Sequence, residues 1–245
     1  MKNSKYRLLP KIKAIALSLV VIKNKILSRF TTKQSCKIIM ILGYQRSGTS
    51  ALISSFEKDE DYAIYTESNN SLLMYKWLLR PEKNIRFFLN KTKKIITKPI
   101  TESYIRTSGE LFEEYKNYDI QYILLVRSVE NIFYSNSKHD DEYYGNDIEK
   151  FIPLYNKRMK NTLTGLDKKN GLVIKYEDII DKRVIYDKIC DFLGLKGEYI
   201  FRKDSNLGLK NLSDNQQKIL NKRTLEIKSK TDLLVSKTYE KLGIT

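Results

Sequence analysis

The sequence predicts an α/β fold in which helices flank a parallel β-sheet. Short apolar runs alternate along the chain with longer helical segments, an order typical of strands that are buried on both faces of a parallel sheet. The first apolar run ends at Gly43 and leads into a predicted helix from Thr49, which marks a strand–turn–helix unit. A length of 245 residues is enough for one such domain with a large buried core.

Four short segments have the apolar character of buried strands, and they span residues 37–43, 95–98, 121–126 and 171–176. Longer segments around them have helical character, and they span residues 49–56, 71–80, 102–118, 129–137, 147–166, 178–193 and 213–242. Pro81 and Gly194 are predicted to end the helices that precede them, because neither residue continues a helix well. Ser213 is the predicted N-cap of the last helix.

Residues 1–36 form a basic segment in front of the main domain, which spans residues 37–245. Within residues 8–30, apolar side chains recur at intervals of three and four with lysines beside them, which predicts a basic amphipathic helix. Its longest uncharged run, residues 14–22, is too short to cross a bilayer. Two roles fit this pattern equally: contact with an anionic membrane surface, and packing on the domain with the lysines in solvent. A cleaved signal peptide fits less well, because lysines follow the apolar run at once.

The net charge of +16 is concentrated at the two ends of the chain. Residues 1–37 contain ten basic and no acidic residues, residues 38–195 contain 24 basic and 23 acidic residues, and residues 196–245 contain eleven and six. Nucleic-acid binding requires a basic stripe on the folded domain, so we expect no nucleic-acid partner. Two cysteines argue against a disulfide scaffold, and the single histidine, His139, excludes a metal site with several histidine ligands.

A glycine-rich loop follows the first predicted strand directly. Residues 43–50 read Gly-Tyr-Gln-Arg-Ser-Gly-Thr-Ser, which is the frame of a phosphate-binding loop. The glycines let backbone N–H groups turn towards an anion, and the start of the next helix adds positive potential. Four side chains add donors, namely Arg46, Ser47, Thr49 and Ser50. Thr49 stands where P-loop triphosphatases have the lysine that reaches the β- and γ-phosphates, which argues against hydrolysis of ATP or GTP.

This loop resembles the 5′-phosphosulfate loop of the sulfotransferase superfamily, whose members use 3′-phosphoadenosine 5′-phosphosulfate (PAPS). The resemblance implies that PAPS is the cofactor and is bound by Arg46, Ser47, Gly48, Thr49 and Ser50. It also implies a second strand that ends in arginine, with a serine eight residues later, to hold the 3′-phosphate. Arg127 follows the predicted strand 121–126, and Ser135 stands eight residues after it. The forked donors of arginine suit a phosphate.

Weaker similarities extend the resemblance over most of the domain. Residues 173–178, Val-Ile-Lys-Tyr-Glu-Asp, resemble a strand of the family that ends in Tyr-Glu-Asp, and residues 189–195 resemble the helix that follows it. Residues 211–213 and 239–243 resemble its closing helix. A magnesium-dependent P-loop enzyme needs an aspartate at the end of a core strand, where this chain has Arg127. The sequence therefore favours transfer of a sulfuryl group without a metal.

The resemblance implies in-line attack by the acceptor on the PAPS sulfur, with Arg46 stabilising charge on the leaving phosphate oxygen. A general base must take the acceptor proton. The histidine base of the cytosolic branch has no counterpart in residues 96–99, Ile-Thr-Lys-Pro. By similarity to tyrosylprotein and carbohydrate sulfotransferases the base is Glu67, and Glu102 is the alternative base. The alternative role of Glu67 is that of a helix cap or of a surface residue in a salt bridge. Lys98 either faces the sulfate or is an exposed lysine.

The sequence thus predicts a sulfotransferase that moves a sulfuryl group from PAPS to a hydroxyl of a carbohydrate, glycolipid or similar acceptor. Two alternatives stay open: a P-loop kinase, and a non-catalytic module that binds nucleotides or polyanions through its basic ends. Arg46, Arg127 and Ser135 favour the sulfotransferase, because a docking module does not need all three. The absence of a predicted transmembrane segment favours a cytoplasmic enzyme, and residues 8–30 leave open a peripheral contact with the inner membrane face.

Overall fold

The computed structural model describes residues 37–65, 94–100, 103, 106–116, 118–138, 147–201 and 211–244. Within these residues the strands are β1 (Lys37–Gly43), β2 (Ala63–Tyr65), β3 (Lys94–Thr97), β4 (Asp119–Val126) and β5 (Asn170–Lys175). The helices are α1 (Thr49–Ser54), α2 (Ser108–Glu114), α3 (Val129–Lys138), α4 (Ile148–Leu163), α5 (Tyr176–Asp181), α6 (Arg183–Leu193), α7 (Asp214–Arg223) and α8 (Leu225–Leu242). The predicted helices over 8–30 and 71–80 lie outside the described residues.

The five strands form one parallel sheet in the order β2-β3-β1-β4-β5. The central strand β1 pairs along its whole length with β4, from Lys37 opposite Asp119 to Gly43 opposite Leu125. The strands β2 and β3 lie on one side of β1, and β4 and β5 lie on its other side. The strand order therefore reverses at β1. Ligands of open α/β sheets bind beyond the carboxyl ends of the strands at such a point. The predicted α/β class with a parallel sheet flanked by helices is confirmed.

Helices cover both faces of the sheet, which explains why its strands carry apolar side chains on both sides. On one face, strand residues such as Met40 and Leu124 pack against α2, α3, α4, α7 and α8. On the other face, their sequence neighbours Ile41 and Ile123 pack against α1, α5 and α6. All four side chains are buried, so the central strands are fixed from both sides.

The helices predicted over 102–118 and 178–193 differ from the observed ones because of local backbone features. The helix predicted over 102–118 begins only at α2, where Thr107 and Glu110 form a capping box. The helix predicted over 178–193 is two helices, α5 and α6. Lys182 separates them with an extended backbone, φ −132° and ψ 94°.

The last predicted helix, residues 213–242, begins as expected but is divided into α7 and α8. Ser213 caps α7 and forms a capping box with Gln216, so the predicted N-cap is confirmed. The backbone leaves the helical conformation at Thr224, with φ −114° and ψ 9°. Among the residues described here, no helix combines the length and the apolar character needed to cross a membrane.

Candidate functional site

The loop of residues 43–50, called the phosphate loop from here on, joins the carboxyl end of β1 to α1. Its backbone has positive φ at Gly43 (154°), Arg46 (70°) and Gly48 (92°). Arg46 is the single residue other than glycine with positive φ in the described part of the chain. Left-handed residues within a turn aim successive N–H groups at one concave side, and such concavities bind anions. The loop therefore has a backbone conformation of the kind that can bind an anion.

Two glycines of the phosphate loop stand where no side chain fits. A Cβ atom at Gly43 would lie 2.7 Å from both the Leu125 carbonyl oxygen and Ser47 Oγ. A Cβ atom at Gly48 would lie 2.3 Å from the ring of Tyr176. Close packing and backbone conformation therefore both require glycine at these two positions.

Two buried polar groups of the phosphate loop have no hydrogen-bond partner within the described residues. They are Ser47 Oγ and Arg46 Nε, and the Ser47 side chain is fully buried. A buried donor without a partner costs about 1–3 kcal/mol, which a bound oxyanion would offset by supplying acceptors. The loop therefore fits a phosphate or phosphosulfate group.

Lys98 reaches the phosphate loop from the carboxyl end of β3. Its Nζ donates a hydrogen bond to Ser50 Oγ at 2.9 Å, and its side chain is 7% exposed. The sequence left open whether Lys98 faces the site or the solvent, and the structure places it at the loop. An ammonium group thus reaches the loop from a neighbouring strand, although Thr49 occupies the usual lysine position.

Arg127 reaches the phosphate loop from the carboxyl end of β4. Its Nη1 donates a hydrogen bond to the carbonyl oxygen of Arg46 at 3.1 Å. The guanidinium carbon lies 5.0 Å from the ring centre of Tyr176, and Nε lies 4.0 Å from Glu177 Oε1. Burial lowers the pKa of Arg127, and the charge of Glu177 raises it in part. The strand-end arginine that the sequence predicted is therefore a partly buried cation held against the loop.

The structure describes some of the other predicted site residues and leaves others outside its described ranges. Thr49 is buried at the start of α1, and Ser135 is half-buried within α3, the helix that begins just after Arg127. Glu67 and Glu102, the two candidate bases, lie outside the described residues. The same holds for the single histidine.

The first part of the phosphate loop packs on α4 through contacts that the sequence did not reveal. The ring centre of Tyr44 lies 5.1 Å from that of Tyr155 and 4.4 Å from the guanidinium carbon of Arg158. Arg158 is fully buried and donates hydrogen bonds to the Ile100 carbonyl oxygen (3.2 Å) and Ser103 Oγ (3.3 Å), just after β3. The available signal was an arginine inside the apolar stripe of a helix, where charged residues are rare.

A cavity of about 230 Å³ lies beyond the carboxyl ends of β4 and β5. Arg127, just after β4, and Glu177, in α5, line it, and residues of α7 and α8 also line it. Lys175 and Asp232 form an ion pair in its wall, with 2.8 Å between Nζ and Oδ1. Arg127 therefore borders both the phosphate loop and an open space at the same edge of the sheet.

Comparison with solved structures identifies the fold. A sulfotransferase from Alicyclobacillus acidocaldarius superposes with a TM-score of 0.53 at 15% identity, over 81% of this chain and 95% of that chain. The mouse sulfotransferase SULT7A1 complexed with PAP superposes with a TM-score of 0.54 at 12% identity, over 82% of this chain and 90% of that chain. The chain therefore has a sulfotransferase-like fold. No model of a protein family and no curated protein matches the sequence.

Replacing Gly48 tests how closely the phosphate loop packs on Tyr176. Gly48→Ala and Gly194→Ala both place alanine at positive φ, but a Cβ at Gly194 meets nothing within 4 Å. We expect Gly48→Ala to lower the free energy of unfolding by about 2–4 kcal/mol and Gly194→Ala by about 1 kcal/mol, as measured by urea unfolding. Equal losses would contradict the close contact between loop and ring.

Proposed function

We propose that this protein is a sulfotransferase that transfers the sulfuryl group of PAPS to a hydroxyl of a carbohydrate, glycolipid or similar acceptor. The convergence of cationic side chains on one phosphate loop carries this proposal. Arg46 belongs to the loop, Lys98 Nζ lies 2.9 Å from Ser50 Oγ, and Arg127 Nη1 lies 3.1 Å from the Arg46 carbonyl oxygen. The sulfotransferase-like fold supports the same assignment.

The proposed roles follow from the position of each group. Ser47, Gly48, Thr49 and Ser50 would bind the 5′-phosphosulfate with hydroxyl and backbone donors, and Arg127 and Ser135 would bind the 3′-phosphate. PAPS, when bound, supplies an activated sulfuryl group. Arg46 and Lys98 would stabilise the negative charge that develops during transfer, and the burial of Lys98 strengthens that effect.

The acceptor side of the proposal concerns residues outside the described ones. Glu67 would take the proton of the acceptor hydroxyl, with Glu102 as the alternative base. Residues 8–30 would bring the enzyme to an anionic membrane surface, where it would reach a glycolipid acceptor. No nucleic-acid partner and no metal are part of the proposal.

Calorimetry with nucleotides tests the cofactor assignment. We expect the protein to bind 3′-phosphoadenosine 5′-phosphate (PAP) more tightly than ATP, and we expect Mg²⁺ to leave PAP affinity unchanged. Arg46→Ala should weaken PAP binding by about tenfold or more, because one charge-assisted contact is lost. A preference for ATP that depends on Mg²⁺ would favour a kinase and overturn the proposal.

Lys98→Met tests the ammonium group at the phosphate loop. Methionine keeps the length of the side chain and loses its charge, so transfer from labelled PAPS should slow by about a hundredfold or more. PAP lacks the sulfuryl group, so its affinity should change much less. The control is Lys94→Met at the opposite end of β3, where Lys94 lies 4.0 Å from Asp61 at the surface. Full transfer activity in Lys98→Met would exclude a catalytic role. The transfer assay uses the acceptor that the wild-type protein sulfates fastest in a screen of glycans, glycolipids and peptides.

Glu67→Gln tests the proposed base. Glutamine cannot take a proton at neutral pH, so the transfer rate should fall by about 10²–10⁴-fold while PAP affinity stays unchanged. Glu102→Gln is the matched comparison, because Glu102 is the alternative base. A normal rate in Glu67→Gln together with a slow Glu102→Gln would move the role to Glu102. Normal rates in both would exclude a carboxylate base at either position.

A further inference from the structure

Glu177 is the second residue of α5, the helix that directly follows β5. Its Oε1 accepts hydrogen bonds from the backbone N–H of Ser128 at 3.1 Å and from Asn131 Nδ2 at 3.2 Å. The same oxygen lies 4.0 Å from Arg127 Nε. One carboxylate therefore contacts three residues around the carboxyl end of β4.

The contact with Arg127 extends to the phosphate loop. Arg127 donates to the carbonyl oxygen of Arg46, the loop residue with left-handed backbone. The Arg127 side chain is 14% exposed, and the Glu177 side chain is 21% exposed. A cation this far from solvent needs a nearby anion, and Glu177 is the acidic group that raises the pKa of Arg127 against the effect of burial.

The contacts with Ser128 and Asn131 extend to α3. The N–H groups at the start of a helix have no acceptor within the helix, and Glu177 supplies one from another element. Ser128 Oγ in turn accepts a hydrogen bond from the backbone N–H of Asn131 at 3.3 Å. The start of α3 is thus fixed against α5. Ser135 lies on this helix, so its position depends on the same carboxylate.

We propose that Glu177 is a positioning residue that fixes Arg127 and Ser135 for recognition of a nucleotide 3′-phosphate. The inference rests on the proposed function, because it assigns those two residues to that phosphate. Glu177 does not donate to the phosphate, and its negative charge alone would repel it. Positioning and simple charge repulsion therefore predict changes of opposite sign when the charge is removed.

The test compares two nucleotides that differ by the 3′-phosphate. PAP and adenosine 5′-phosphate are titrated into the wild-type protein and Glu177→Gln by calorimetry. Glutamine keeps an oxygen that accepts from Ser128 and Asn131, but it loses the charge that holds Arg127. We expect the preference for PAP over adenosine 5′-phosphate to fall by about tenfold, the weight of one charge-assisted contact, while the affinity for adenosine 5′-phosphate changes much less.

Asp178→Asn is the matched control, because Asp178 is the next residue of α5 and accepts a hydrogen bond from the Tyr239 hydroxyl instead. This control should keep the wild-type preference even where it lowers thermal stability. An unchanged or higher preference in Glu177→Gln would overturn the inference, and so would an equal loss of affinity for both nucleotides, which indicates a purely structural role. A wild-type protein without any preference for PAP would instead contradict the proposed function.

Discussion

The phosphate loop depends on groups that reach it from the ends of neighbouring strands. The loop leaves β1 through a glycine with no room for a side chain, and Arg46 adopts a left-handed backbone that most residues avoid. The hydrogen bond from Arg127 Nη1 to the Arg46 carbonyl oxygen joins this turn to β4, the strand with the longest pairing to β1. The bond from Lys98 to Ser50 joins it to β3. A strained turn persists where such contacts fix it from several sides.

Local charge matters more at this site than the net charge of the chain. Most of the +16 excess lies in residues 1–37 and 196–245, whereas the central region is nearly neutral. The cations of the site are few, but Lys98 and Arg127 are largely shielded from water, where an electrostatic interaction is stronger than at the surface. Glu177 limits the cost of burying Arg127. Shielded cations of this kind are consistent with the proposed cofactor, which is small and has two anionic ends.

The sheet and the phosphate loop could be predicted because their signals are local. Apolar runs defined four of the five strands, and the glycine frame defined the loop. The three-residue strand β2 is too short to give such a signal. The breaks at Lys182 and Thr224 escaped prediction because neither is a proline or a glycine, and the helical pattern continues through both. The contacts of Glu177 and Arg158 join residues far apart in sequence, so a local pattern could mark Arg158 as unusual but could not show the partner of either residue.

Different helices hold the two ends of the phosphate loop from opposite faces of the sheet. Tyr44 packs on α4 beside Arg158, which also binds the backbone just after β3. Gly48 packs on the Tyr176 ring at the start of α5, where the next residue, Glu177, binds the turn after β4. The cation from β3 and the cation from β4 are therefore supported by separate packing contacts. Both cations nevertheless contact the same loop, and contacts that share a partner are coupled, so replacing Lys98 and Arg127 together should not give the sum of the two single effects.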